Sequence, residues 1–270
     1  MPELPEVETT VRGLRPVLDG RTIVRVQLRR PDLRRPFPDD LGQRLIGATV
    51  AALGRRAKYG LVDTDRGDTM IFHLGMSGRW RIDPAELLPH DHLVIETGEG
   101  RRVALNDPRR FGSVDLWPTA DLASFPSFAA LGPEPLGPGL TAGHLARALA
   151  GRSASIKQML LDQRIVAGLG NIYVCEALYE SRISPRRAAG TVTKPRLARL
   201  VEAIRLVLQA AIEAGGSTLR DYAQPDGELG YFSKQFQVYG REGERCGCGG
   251  AVARYVEGGR STFWCPRCQR

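Results

Sequence analysis

Lysine is almost missing from this chain. Among 38 basic residues in 270, it occurs only as Lys58, Lys157, Lys194 and Lys234. Arginine therefore carries the general surface charge, and each lysine asks for a local explanation. No stretch is long and apolar enough to cross a bilayer, and the amino terminus lacks the basic-then-apolar pattern of a secretory signal. The expectation is a soluble, cytoplasmic protein. Cysteine is sparse as well. Four of the five cysteines fall in the last 25 residues, which excludes a distributed disulfide framework and favours a metal site near the carboxyl terminus. The fifth, Cys175, sits in an apolar helical pattern and reads as core packing. Acidic residues are too few to offset the arginines. The net charge of +8 points to a polyanionic partner such as nucleic acid.

The chain opens Met1-Pro2-Glu3-Leu4-Pro5-Glu6-Val7-Glu8. Initiator methionine is removed before a small residue, and Pro2 qualifies, so the mature chain is expected to begin with a secondary amine. An α-amino group titrates at about 7.7–8.0 against about 10.4 for lysine, so near neutral pH a useful fraction is a free nucleophile. Attack on a sugar C1′ gives an iminium ion that has no N–H proton to lose, and it remains a strong electron sink. Glu3 and Glu6 stand where a proton donor and a hydrogen-bonding orienter are wanted. The same residues also read as a helix start. Pro5 suits the first turn, Glu6 and Glu8 favour the positive end of the helix dipole, and Val7, Val11, Leu14 and Leu18 form one apolar face that Asp19-Gly20 ends. The two readings are compatible, since such a helix would hold the terminus still.

Period-two alternation then marks strands within 21–30, 48–53, 59–63, 69–74, 79–82, 92–96, 102–106 and 113–117, with a proline- and charge-rich loop at 31–40. That number of short strands predicts a sandwich or flattened barrel. Three loops carry unusual residues: Arg55-Arg56-Ala57-Lys58-Tyr59, His73-Leu74-Gly75-Met76-Ser77-Gly78 and Asp107-Pro108-Arg109-Arg110-Phe111-Gly112. Taken singly, each reads as ordinary loop packing or a solvated turn. Taken together, methionine, arginine and phenylalanine supply what a wedge into a duplex needs: apolar groups in place of lost stacking, and a cation for the exposed partner base.

The run from Leu131 to Gly139, with three prolines and three glycines, holds neither helix nor central strand and marks a linker. Beyond it the period turns helical. Thr141 caps a helix through Ala150, a second opens at Ser155, and Gly168-Leu169-Gly170-Asn171 breaks the chain before a third over 172–181. Thr193 and Gly215-Gly216 frame a long fourth helix. No βαβ unit surrounds the glycine turn, so it suits a DNA phosphate rather than a dinucleotide. Residues 217–237 read as a long loop. The chain ends with Cys246-Gly247-Cys248, sixteen intervening residues, then Cys265-Pro266-Arg267-Cys268. This pattern fits one structural, closed four-cysteine zinc site on a hairpin whose tip presents Arg260.

The Pro-Glu-Leu-Pro-Glu terminus, the Gly-Leu-Gly-Asn helix–two-turn–helix and the four-cysteine hairpin with Arg260 occur together in one family. Over essentially all of its length this chain resembles the bacterial formamidopyrimidine-DNA glycosylases. The resemblance implies an α+β fold: a β-sandwich catalytic domain with a leading helix over 1–131, a linker over 132–140, a helix–two-turn–helix DNA-binding domain with a lesion loop over 141–236, and a zinc finger over 237–270. It implies excision of oxidised purines, notably 8-oxoguanine and formamidopyrimidines, from duplex DNA, followed by β,δ-elimination at the resulting abasic site. Pro2 would be the Schiff-base nucleophile, Glu3 its acid–base partner with Glu6 in support, Lys58 the residue of β-elimination and Arg260 that of δ-elimination. His90, Arg109, Arg152 and Asn171 would contact DNA, with Met76, Arg109 and Phe111 filling the gap left by an everted nucleotide. Ser217, Thr218 and Tyr222 would belong to the lid over the flipped base. Cys246, Cys248, Cys265 and Cys268 would hold one structural Zn2+, and the enzyme would be a monomer associated with the nucleoid through DNA. Leu4, Met76 and Phe111 favour this purine enzyme over the related endonuclease VIII type, and intact Pro2, Glu3 and Lys58 argue against a binding module that does not cut. One departure stands out. The family separates its first cysteine pair by two residues, this chain by one, and Gly247 is the residue expected to accommodate the difference.

Overall fold

The computed structural model describes residues 2–217, 224–228 and 230–270. It is an α+β protein whose contacts divide it into two compact units, residues 1–129 with 214–233, and residues 130–213 with 234–270. No helix among the described residues is long and apolar enough to cross a membrane.

The first unit begins with helix α1 (Leu4–Leu18). Glu3 and Glu6 form a reciprocal capping box, Pro5 sits in the first turn, and the Asp19 N–H closes the other end on the Arg15 carbonyl. Its apolar stripe, Val7, Val11, Leu14 and Leu18, is buried, as the spacing predicts. The strands follow as β1 (Ile23–Leu28), β2 (Val50–Arg56), β3 (Tyr59–Thr64), β4 (Asp68–His73), β5 (Arg79–Ile82), β6 (Asp91–Thr97), β7 (Arg102–Asn106) and β8 (Ser113–Pro118), with a short helix α2 (Leu41–Leu45) after β1. They pair antiparallel into two sheets, β1-β6-β7-β5 and β2-β3-β4-β8. Side chains from both sheets and from α1 and α2 share one core that includes Val11, Leu41, Phe72, Trp80, Leu93 and Val103. Each four-stranded sheet thus buries one face on the other, the solution antiparallel sheets favour.

The second unit contains α3 (Ala142–Leu149), α4 (Ile156–Leu161), α5 (Asn171–Glu180) and α6 (Lys194–Glu213), then the hairpin β9 (Ala253–Glu257) and β10 (Arg260–Trp264). Two caps read from sequence, at Thr141 and Ser155, are made. Thr141 Oγ1 accepts the His144 N–H at 3.0 Å and Ser155 Oγ accepts the Gln158 N–H at 3.2 Å.

Residues 214–233 differ from their sequence grouping, which placed them with the helices. Their contacts tie them to the first unit. The Ser217 N–H donates to Glu6 Oε1 and the Ile82 N–H to the Pro225 carbonyl, each at 2.8 Å, and the Pro225 ring packs so closely on Gly13 that a Cβ there would lie 3.0 Å away. The span read as one long loop also ends in a single-turn 3-10 helix, Phe232–Gln235.

Candidate functional site

In the first unit, the amino-terminal segment is buried and held from two directions. Pro2, Glu3 and Glu6 are all buried. Glu6 Oε2 accepts the Glu3 N–H at 2.8 Å, while its Oε1 accepts both the N–H and the hydroxyl of Ser217, at 2.8 and 2.9 Å. A single carboxylate therefore fixes the backbone that carries Pro2 and the residue that opens segment 218–223. Thr218 and Tyr222 lie outside the described residues. Lys58 is buried in the β2–β3 turn, where Ala57 adopts φ +53°. The Arg55 guanidinium spans that turn, donating to the Ala57 carbonyl at 2.9 Å and pairing with Glu8 of α1 at 3.1 Å, which brings the lysine turn to the amino-terminal end of α1.

Two further loops of this unit meet. Met76 is 37% exposed and Phe111 45%, both high for their types, and the Arg109 guanidinium lies 4.9 Å from the centre of the Phe111 ring. Gly75, at φ +61°, is seated so tightly that any side chain would overlap the Phe111 backbone. His90 is exposed and tilts against His92, with ring centres 6.0 Å apart. His73 accepts the Gly75 N–H on Nδ1 at 3.0 Å, and burial, reinforced by the charge of Lys58, pushes its pKa down to about 4. It is neutral at physiological pH.

In the second unit, Asn171 is the first residue of α5. Its Nδ2 donates to the Ser261 carbonyl at 2.8 Å, next to Arg260, while its buried Oδ1 has no partner among the described residues. Arg260 itself is exposed at the start of β10, opposite Glu257. Arg152 is exposed in the turn after α3, where it reinforces Arg164 in holding the Asp162 carboxyl below its usual range. Lys157 shows its importance only in three dimensions. It is buried, and its ammonium donates to Thr262 Oγ1 at 2.5 Å and to the Ser261 carbonyl at 3.4 Å, so it shares an acceptor with Asn171. Glu176 was also missed from sequence. It accepts the N–H groups of Gln237, Val238 and Tyr239 at 2.8–3.0 Å and so docks the chain leading into the hairpin. A charged residue inside an apolar helix run was the available signal in both cases.

The four sulfurs of Cys246, Cys248, Cys265 and Cys268 all lie within 4.8 Å of one another, and three of the pairs are 3.4–3.6 Å apart. Tetrahedral zinc with Zn–S of about 2.3 Å asks for S···S of about 3.8 Å, so the cluster fits a bound metal. Gly247 is not what permits the shortened spacing, for a Cβ there would meet nothing. Gly249, at φ +79°, makes the turn, and a Cβ on Gly250 would press on Arg267 and on the Cys265 sulfur at 3.3 Å.

Residues 1–114 match the formamidopyrimidine-DNA glycosylase N-terminal domain, 131–223 its H2TH domain, and 243–270 the zinc finger found in FPG and IleRS. The chain belongs to the formamidopyrimidine-DNA glycosylase family. Relatives of that name from Rhizorhabdus wittichii and Novosphingobium aromaticivorans are 71% and 69% identical over the whole of both chains. The fold is similar to the Thermus thermophilus MutM (Fpg) crystal structure (TM-score 0.89, 41% identity, 99% of this chain and 98% of that one). It is also similar to a Lactococcus lactis Fpg mutant solved with Fapy-dG containing DNA (TM-score 0.92, 33% identity, all of both chains). As a member of that family, the protein is a DNA-repair glycosylase and abasic-site lyase with a metal-binding zinc-finger region.

Proposed function

We propose that this enzyme excises oxidised purines from duplex DNA through a Schiff base on the Pro2 amine and then cuts the strand on both sides of the lesion. The observation that carries the reading is the Glu6 clamp, which immobilises the Glu3 backbone in a buried site directly beside the residue that must act as nucleophile. Holding reactant groups in place converts binding into rate.

The chemistry follows from the residue types. With Met1 removed, the Pro2 nitrogen attacks C1′ as the C1′–N9 bond breaks and the departing purine takes up a proton. Glu3 protonates O4′ as the C1′–O4′ bond opens, leaving a ring-opened iminium. That cation acidifies the C2′ hydrogens. Loss of one expels the 3′ phosphate, and a second elimination along the conjugated chain expels the 5′ phosphate. Water then releases the sugar fragment from Pro2. Lys58 serves the first elimination and Arg260 the second. His90, Arg109, Arg152 and Asn171 contact the DNA, with Met76 and Phe111 occupying the vacated stack. Ser217, Thr218 and Tyr222 cover the flipped base. One Zn2+ on Cys246, Cys248, Cys265 and Cys268 supplies the fold of the hairpin; with every ligand position filled by cysteine, catalysis does not run through it.

The complexes of similar Lactococcus lactis proteins with Fapy-dG containing DNA and with abasic-site containing DNA support damaged DNA as the partner. The test is product analysis on a labelled duplex with one 8-oxoguanine opposite cytosine. The reading expects a one-nucleotide gap with phosphate at both ends. An intact strand carrying only an abasic site would contradict it.

A further inference from the structure

Asp107 is completely buried at the base of the Arg109-Arg110-Phe111 loop, and Ser77, 30 residues earlier, is buried against it. The Ser77 hydroxyl donates to Asp107 Oδ1 at 2.6 Å and in turn accepts the Arg109 N–H at 3.1 Å. The second carboxylate oxygen, Oδ2, accepts the Gly112 N–H at 2.8 Å. The Asp107 carbonyl accepts from His92 Nε2 at 3.0 Å and from the Arg110 N–H at 3.1 Å. That last bond closes the turn in which Arg110, at φ +57°, occupies the left-handed region that non-glycine residues rarely adopt.

We infer that Ser77 and Asp107 are positioning residues that lock the Met76 loop and the Arg109-Arg110-Phe111 loop into a single wedge. Two observations beyond the hydrogen bonds support this. Gly75 abuts the Phe111 backbone with no room for a side chain, so the loops touch on a second side. The Arg34 N–H also donates to the Gly112 carbonyl at 3.1 Å, bracing the far edge. The network thus serves two loop tips whose apolar side chains, Met76 and Phe111, are left in the open.

A rigid pair has a specific advantage here. Filling the space of an everted nucleotide requires Met76, Arg109 and Phe111 to arrive together. Independent loops would each lose conformational freedom on insertion, whereas a preassembled wedge has already lost it. Ser77 is the efficient point of control, because its one hydroxyl touches both loops and a carboxylate. The inference rests on the damaged-purine reading above, and its test separates the two.

The test uses the processed full-length enzyme with Ser77→Ala, which deletes the link without adding bulk, and Ser77→Thr, which retains a hydroxyl. Asp107→Asn serves as a second probe, since its amide N–H groups would face Gly112 or Ser77. Insertion is followed by stopped-flow fluorescence of 2-aminopurine placed opposite the lesion's neighbour, which needs no bond cleavage. Ser77→Ala removes both hydrogen bonds of the hydroxyl and should slow the insertion phase and 8-oxoguanine excision at least about tenfold. Cleavage of a preformed abasic site, which has no base to unstack, should fall far less, and Ser77→Thr should recover most of the loss. Equal losses on both substrates, or an unchanged insertion phase, would overturn the wedge lock. Failure of the wild type to cut abasic DNA would instead defeat the glycosylase–lyase reading.

Discussion

Glu6 and Glu176 perform one mechanical task in two differently built halves of the molecule. Both are buried on a helix, and both gather hydrogen bonds from a distant segment: Ser217 for Glu6, Gln237 to Tyr239 for Glu176. Their surroundings differ. The Glu6 clamp stands on a sandwich core with both sheets behind it. The segment held by Glu176 leads to a hairpin with only a small core, in which Cys175 and Tyr179 of α5 pack with Val238, Val252 and all four metal-site cysteines. The buried amino-terminal residues thus lean on packed strands and helices, while Asn171 and Arg260 lean on hydrogen bonds around Ser261 and on a hairpin whose four cysteines are placed to hold a metal. Damage at the amino-terminal clamp should therefore impair reaction before grip, and damage at the four-cysteine hairpin should impair grip first.

The largest effect is expected at Glu3. Glu3→Gln should reduce 8-oxoguanine excision by about 10²–10⁴-fold, the usual worth of a placed acid–base group, with duplex affinity nearly unchanged in a gel-shift titration. Next comes the metal. Chelation, or Cys268→Ser, should release the hairpin and lower DNA affinity about a hundredfold, because one or two charge-assisted phosphate contacts are lost. Equal impairment of binding in the Glu3 and Cys268 variants would erase the division between the halves.

Two smaller effects sharpen it. His73 has a folded-state pKa near 4, below the ordinary 6.5. The unfolded chain therefore takes up a proton between those values that the folded chain refuses. Stability of the first unit should fall as pH drops through that window, by up to about 3 kcal/mol, and denaturant titrations of His73→Asn should lack this slope. Burial raises the Glu176 carboxyl. Its contribution is complete below the ordinary carboxylate range and is lost as pH rises through the raised value. Glu176→Gln should flatten that dependence and cost about 1–3 kcal/mol, since an amide N–H would face backbone donors.

Much of this was legible in the sequence because local pattern and global fold agree. The eight alternating segments became eight strands among the described residues, and Thr141 and Ser155 became caps. The four cysteines converged because their two pairs sit at the base of a hairpin whose register is set by antiparallel pairing. What stayed hidden was long-range. Nothing local says that Glu6 reaches Ser217, that Lys157 and Asn171 share the Ser261 carbonyl, or that Asp107 binds Ser77, for each bond joins residues that only the tertiary fold brings together. The Gly247 expectation failed for a related reason. Which glycine a turn needs depends on backbone angles and neighbours, and those fall on Gly249 and Gly250.

Borohydride trapping tests the central claim most directly. The processed enzyme, with Pro2 at its amino terminus, is mixed with a duplex bearing 8-oxoguanine opposite cytosine, reduced, digested and analysed by mass spectrometry, beside a sample whose amino terminus has been acetylated. The account predicts a stable adduct on the Pro2 peptide and none from the acetylated chain. An adduct on Lys58 or another lysine, or efficient strand cleavage by the acetylated enzyme, would contradict it.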